Sequence, residues 1–162
     1  MSQLIKNVAT SDLDELLALN QSEVPHVGSI DIERMLWFAN NADYFRVAWL
    51  DEKIAGFLIG LCPGSSYQSP NYRWFCDQYN EFGYVDRIAV TTAARGHGVA
   101  RQLYDDFAAS LPATTSVMTC EVNILPPNEG SMRFHERLGF RQVGTMSSDA
   151  GKKQVAFLLK DL

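Results

Sequence analysis

The residues of this chain most able to do chemistry lie in one short stretch, Arg95-Gly96-His97-Gly98-Val99-Ala100-Arg101. It falls between an apolar, strand-like run from Tyr84 to Val90 and a helix-like run from Val99 to Ser110. Two glycines in such a turn let main-chain N–H groups close on an anion. The unpaired N–H groups of the helix's first turn add the positive end of its dipole. The stretch therefore predicts a grip for a phosphate. Elsewhere in the chain stand two carboxylates and a histidine: Asp86 and Glu121 on strand-like runs, and His135 on a helix-like run. Asp86 alternates with Ile88 and Val90, so the three share one face of their strand. Each has a plainer reading as well. Glu121 would serve as a solvated or ion-paired strand carboxylate, and His135 as a helix-face side chain that packs without moving a proton. His97 would contribute only its main chain, and His26 would be a solvated loop residue.

The glycine turn alone does not say which phosphate. A nucleotide-triphosphate loop needs Gly-Lys-Ser/Thr after its second glycine, but Gly98 is followed by Val99-Ala100, which leaves nothing to hold a γ-phosphate or its metal. A dinucleotide fingerprint needs a third small residue at its own offset and opens the first βαβ unit, whereas this turn follows several other strands. These mismatches disfavour both assignments and leave a dinucleotide-binding oxidoreductase a distant alternative. A metal centre has no ligand cluster behind it, and Cys120, alternating inside a strand, reads as a small buried hydrophobe.

The elements that must position these groups follow from periodicity. Leu4 to Val8 predicts a strand. Ser11-Asp12-Leu13-Asp14 predicts a cap for a helix with Leu13, Leu16, Leu17 and Leu19 on its face. Val24 to Gly28 predicts a short punctuated link, after which Asp31 caps a second helix with Ile32, Met35, Leu36 and Ala39 on one face. Tyr44 to Leu50 and Ile54 to Cys62 read as a hairpin across Asp51-Glu52-Lys53. Pro63 to Phe82, with Gly, Ser, Pro and Asn interleaved among six aromatic rings, reads as a loop with one helical turn at most. Its rings would line an acceptor pocket, meet a partner subunit or pack on one another. Val117 to Asn123 is a strand, Pro127 to Leu138 a helix, and Phe140 to Thr145 with Gln154 to Leu159 a closing hairpin. The fold class is α/β of the α+β type: a mixed, mostly antiparallel central sheet of about seven strands with helices on both faces.

At 162 residues and 46 % apolar content, the chain suits a single domain over residues 1–162, a size that buries roughly 70 % of the unfolded surface. The net charge of −5 argues against nucleic acid or an anionic membrane as partner and favours neutral or cationic ones. Three cysteines without CxxC spacing, and no leader-like or membrane-length apolar run, point to the reducing cytoplasm.

Two spaced motifs carry a family resemblance. Arg95, Gly98 and Ala100 resemble the acetyl-CoA pyrophosphate turn of the GNAT (Gcn5-related N-acetyltransferase) family: Arg or Gln, two residues, Gly, one residue, Gly or Ala. One strand later, Asn128-Glu129-Gly130-Ser131 running on to Leu138-Gly139-Phe140 resembles the family's Asn-x-x-Ala helix that leads into Leu-Gly-Phe. The order of elements is similar over essentially the whole chain. The resemblance implies an acetyl-CoA-dependent transferase that moves the acetyl group to an amine of a small molecule or peptide by direct attack. It leaves a homodimer open.

The resemblance further implies that Ile88, Ala89 and Val90 pair with pantetheine amides as a neighbouring strand would, and that a backbone N–H near Val90 polarises the acetyl carbonyl. Arg95, Gly96, His97, Gly98, Val99, Ala100 and Arg101 would hold the pyrophosphate, with Asn123, Asn128, Ser131 and Phe134 beside the cofactor. Glu121 matches the acid of members that acetylate protein N-termini, and Asp86 is the second candidate base. His135 stands where the family commonly has a tyrosine thought to protonate the thiolate, and Ser131 where it has alanine. The histidine departure motivates a second reading, a CoA-binding sensor or interaction module without turnover.

Overall fold

A computed structural model describes residues 2–162. The strands are β1 (Gln3–Asn7), β2 (Tyr44–Leu50), β3 (Lys53–Leu61), β4 (Gly83–Val90), β5 (Val117–Leu125), β6 (Arg141–Ser148) and β7 (Lys153–Asp161). The helices are α1 (Leu13–Ser22), α2 (Ile32–Asn41), α3 (Pro70–Gln78), α4 (Val99–Ser110) and α5 (Glu129–Leu138). The strand order is β1-β2-β3-β4-β5-β7-β6. Only the β4–β5 pair is parallel among the pairings resolved. This is the mixed, mostly antiparallel seven-stranded sheet that the element order predicts.

Contacts divide the chain into two units, residues 1–61 with 87–110 and residues 62–86 with 111–162. In the first unit β2 and β3 form a hairpin whose two-residue turn places Asp51 and Glu52 at positive φ, with Leu50 opposite Lys53. The helix α4 packs on β3 and β2. Leu103 and Phe107 bury its inner face, and the Phe107 ring lies directly over Gly60, where a side chain would collide with it. Tyr44 and Arg46 of β2 both donate to Asp106 Oδ2 of α4, at 2.8 and 2.7 Å. Burial, with the neighbouring Asp106 carboxylate, pushes the Tyr44 phenol well above its usual range. In the second unit β5, β7 and β6 pair antiparallel. Tyr72, Phe75, Phe82, Tyr84 and Phe157 form an aromatic core, all fully buried.

Three expectations are corrected. The stretch from Pro63 to Phe82 is not a loop with at most one turn. It contains the nine-residue α3, begun by Ser69, whose hydroxyl accepts the Tyr72 N–H, with Pro70 in the first helical position. Its aromatics mostly pack on one another rather than face outward. In α2 the buried side chains are Met35 and Phe38, while Ile32 and Leu36 are 41 % and 43 % exposed. The helix is turned toward its aromatic edge, where Phe38 carries the Arg87 guanidinium over its ring. At the start of α1, Ser11 does not cap. Thr10–Asp12 form a 3-10 turn, and the Asp12 carboxylate accepts the Ala9 N–H. Elsewhere the element ends move by a few residues, as at β5, which runs on to Leu125.

Candidate active site

In the first unit the predicted phosphate grip is built on β4 and the start of α4. Thr91 N–H donates to Ala55 O at 2.8 Å, and the Ala89 carbonyl points at Gly56. Main-chain groups alternate sides along a strand, so those of Ile88 and Val90 point to the opposite edge. The β4–β5 ladder pairs Gly83 with Met118 and Tyr84 with Thr119 and goes no further. After β4 a 3-10 turn, Thr92–Ala94, is capped by Thr91 Oγ1. Gly96 and Gly98 then take φ of +83° and +75°, with nothing within 4 Å of where a Cβ would sit. The Gly98 carbonyl accepts the first bond of α4, from Gln102 N–H at 3.1 Å. The N–H groups of Gly98, Val99, Ala100 and Arg101 have no main-chain partner among the described residues. Val99 is buried and anchors this turn, whereas His97 and Arg101 are exposed. These donors suit a pyrophosphate: several unpaired N–H groups, open space before them, and the positive end of a twelve-residue helix. The Arg95 guanidinium, by contrast, is paired with Glu23 at 2.5 Å, so Arg95 offers the turn chiefly its main chain.

Two residues that the sequence reading did not single out shape the loop between α1 and α2. Asn20 is fully buried, and its Oδ1 accepts from Arg87 Nη1 at 2.9 Å. The same Arg87 nitrogen donates to Gly28 O at 2.9 Å, which also accepts from Asn20 Nδ2 at 3.1 Å. The signal available for Asn20 was a polar residue in phase with Leu13 and Leu16 on a buried helix face.

In the second unit the carboxylates gather around Tyr84. The Tyr84 hydroxyl donates to both oxygens of Glu121, at 2.9 Å to Oε1 and 2.7 Å to Oε2, and Asn71 Nδ2 donates to Oε1 at 3.1 Å. Burial pushes the Tyr84 phenol well above its usual range. The charges of Glu121 and Asp86, and then Tyr67, add to that shift. Tyr84 therefore stays a proton donor to the carboxylate across the neutral range. Asp86 is half-buried on the same strand, two residues beyond Tyr84.

The α5 helix opens with Asn128, whose Oδ1 accepts the Ser131 N–H at 3.4 Å. His135 is 4 % exposed, lies against the rings of Phe134 and Phe140, and brings Nδ1 within 2.7 Å of Ser131 O and 3.3 Å of Ser131 Oγ. A carbonyl oxygen can only accept, so the proton sits on Nδ1. Burial pushes the imidazole below its usual range, opposed by that bond to Ser131. His135 is thus neutral at pH 7. Phe134, Ser131, Asn128 and, on β5, Asn123 are half-buried. Among the described residues no His, Cys, Asp and Glu group could hold a metal, and no helix is long and apolar enough to cross a membrane.

The predicted residues thus fall into three groups: Ile88 to Val90 with the 95–101 turn in one unit, and in the other Asp86 and Glu121 around Tyr84, and the α5 set of Asn128, Ser131, Phe134 and His135. No sequence among the curated proteins matches this chain. Solved structures share its fold. Ard1 from Thermoplasma volcanium superposes with a TM-score of 0.79 at 16 % identity, covering 100 % of this chain and 99 % of its own. The ribosomal-protein-alanine N-acetyltransferase from Brucella melitensis gives 0.70 at 23 % identity over 98 % and 99 %. The NatC complex bound to Gag peptide and CoA gives 0.75 at 15 % identity over 100 % and 99 %. At such identities the likeness is one of fold. The acetyltransferase (GNAT) family model matches residues 12–140, a span that holds the glycine turn and the Asn128 to Phe140 helix, and the chain belongs to that family.

Proposed function

We propose that this chain is an acetyl-CoA-dependent N-acetyltransferase that acts on a primary amine of a small molecule or peptide, by direct attack in a ternary complex. The reading takes residues 1–162 as one functional domain. The observation that carries it is the run of unpaired N–H groups from Gly98 to Arg101, opened by two left-handed glycines, on a strand whose Ile88 and Val90 main chain points away from β3. When bound, acetyl-CoA supplies a thioester-activated acetyl group. The turn from Arg95 to Arg101 would hold its pyrophosphate, and Ile88 and Val90, on either side of Ala89, would offer main-chain groups to its pantetheine amides. A main-chain N–H near Val90 would be the donor for the acetyl carbonyl oxygen.

An amine that titrates near 10, as lysine does, is charged at neutral pH and must lose a proton before it attacks. Glu121 is the base this reading favours, because Tyr84 and Asn71 hold its carboxylate in one orientation. Asp86 is the second carboxylate, acting on the same phenol. A neutral imidazole whose Nδ1–H is committed to Ser131 has little to give a departing thiolate. We therefore assign His135 a packing role and the thiolate's proton to solvent. All three cysteines are free thiols, in keeping with a reducing compartment. The neutral His135 also favours a second reading, a CoA-binding sensor without turnover.

One assay separates the two. Purified protein is mixed with acetyl-CoA and a panel of amino acids, polyamines and N-terminal peptides, and free CoA is measured. Amine-dependent CoA release that falls at least tenfold in Glu121→Gln supports the enzyme. Acetyl-CoA binding without release from any amine supports the sensor.

A further inference from the structure

Glu121 is held from two directions, and one of them is an element the family motifs do not include. Tyr84, fully buried on β4, donates its hydroxyl to both carboxylate oxygens, and Asn71, in the first turn of α3, donates to Oε1. The two donors lie 37 and 50 residues from Glu121 in the chain. Neither contact is incidental. The Tyr84 ring packs against Tyr72 and Phe75 in the aromatic core, which fixes the direction of its hydroxyl. Asn71 is fixed because α3 is pinned on both sides of it: Ser69 caps the helix, and the Tyr72 hydroxyl donates to Cys62 O at 2.6 Å. Trp74, one turn along α3, stacks on Phe157 at 4.2 Å, and Phe157 is the residue paired with Glu121 across β5 and β7. The helix therefore carries Asn71 on a rigid mount above that strand position.

We propose that Asn71 and Tyr84 are positioning residues for the Glu121 carboxylate, which makes α3 part of the acid–base apparatus. This rests on the acetyl-transfer reading above. Two donors on an anionic carboxylate select one rotamer and favour its charged form. The Tyr84 phenol that holds it also feels the charge of Asp86 on β4 and, more weakly, Tyr67 in the segment before α3. On β7 the register partner of Glu121 is the uncharged Phe157, and α5, packed on β5, carries the neutral His135. Removing a donor disfavours the charged form of the carboxylate, and placing a second carboxylate at position 71 disfavours it more.

The experiment uses Asn71→Asp and Tyr84→Phe in the full chain, with thermal melts and acetyl-CoA binding as controls for folding. The Glu121 carboxyl is titrated by 13C NMR, assigned with Glu121→Gln, and kcat is measured against pH. The expected result in Asn71→Asp is a titration midpoint raised by about one pH unit or more, with the acid limb of kcat moving alongside it. Tyr84→Phe shifts both in the same direction and lowers kcat about tenfold, while KM for acetyl-CoA stays constant. A midpoint unmoved in both variants overturns the positioning of Glu121, whatever reaction the protein performs. A midpoint that moves while the kcat limb stays in place overturns the catalytic use of that carboxylate. If wild type releases no CoA at all, it is the acetyl-transfer reading that fails, and the NMR titration still decides the positioning.

Discussion

Replacing Gly98 tests the phosphate grip in two separable steps. At φ of +75° an L-residue is strained, but nothing lies within 4 Å of the added Cβ, so Gly98→Ala costs backbone strain alone, about 1–2 kcal/mol. For a domain of this length that lowers Tm by roughly 2–8 °C. Gly98→Asp occupies the same left-handed position, with no more strain than alanine, and adds a carboxylate where the proposed function puts the pyrophosphate. Two like charges about 4 Å apart repel by about 1 kcal/mol in bulk water and about 4 kcal/mol at the effective dielectric of a protein surface. The expected loss of acetyl-CoA affinity relative to Gly98→Ala is therefore at least about fivefold, shrinking as salt is added. Isothermal titration of both variants with acetyl-CoA, at low and high ionic strength beside thermal melts, measures strain and charge apart. If both variants melt lower as expected but bind acetyl-CoA with equal affinity, the turn is not the anion site.

Arg95→Ala removes an ion pair whose arginine is 56 % exposed, so stability falls by less than about 1 kcal/mol. If the turn uses Arg95 through its main chain, calorimetric affinity for acetyl-CoA stays within about threefold. In Gly60→Ala the new methyl meets the Phe107 ring at 2.5–2.9 Å, a collision that destabilises by about 1–3 kcal/mol in urea unfolding. Phe107→Leu in the same chain recovers part of that loss, and a strictly additive double mutant would refute the contact. His135 has a folded-state pKa below its unfolded value of 6.5. As pH falls below 6.5 the unfolded chain therefore binds a proton that the folded one refuses, and stability is lost over that window. His135→Phe flattens this dependence in melts run from about pH 7 down to about pH 5 and leaves most turnover in place. An unchanged slope, or turnover abolished in a folded variant, would overturn the neutral packing role.

The part of the site that was legible in the sequence is the part built from neighbours. The strand to Val90, the glycines and α4 lie within one stretch, and α4 spans Val99–Ser110, the boundaries its periodicity predicts. Strand alternation, a turn that needs positive φ and an amphipathic helix are all local preferences, readable without knowing where the chain goes next. The run from Pro127 to Leu138 was readable as a helix in the same way, although Asn128 as its cap emerged only from the structure. For α3 a local signal was present, Ser69-Pro70 with Tyr72 and Phe75 three apart, but the surrounding Gly, Ser and aromatic residues obscured it. The buried face of α2 was a different matter. Ile32, Leu36 and Phe38 are all apolar, and only packing decides which of them faces inward.

By itself, then, the sequence determined the order of the seven strands and of every helix but α3, the mixed sheet, the glycine turn and, through two spaced motifs, the family. Tertiary structure alone decided that Glu121 meets Tyr84 and Asn71, and that Arg95 is occupied by Glu23. It also decided that the histidine in the tyrosine position is buried and neutral. The physical reason is common to all of these. Hydrogen bonds between residues tens of positions apart, and the loss of hydration that moves a proton equilibrium, depend on what the folded chain brings alongside a group, which no run of neighbours encodes.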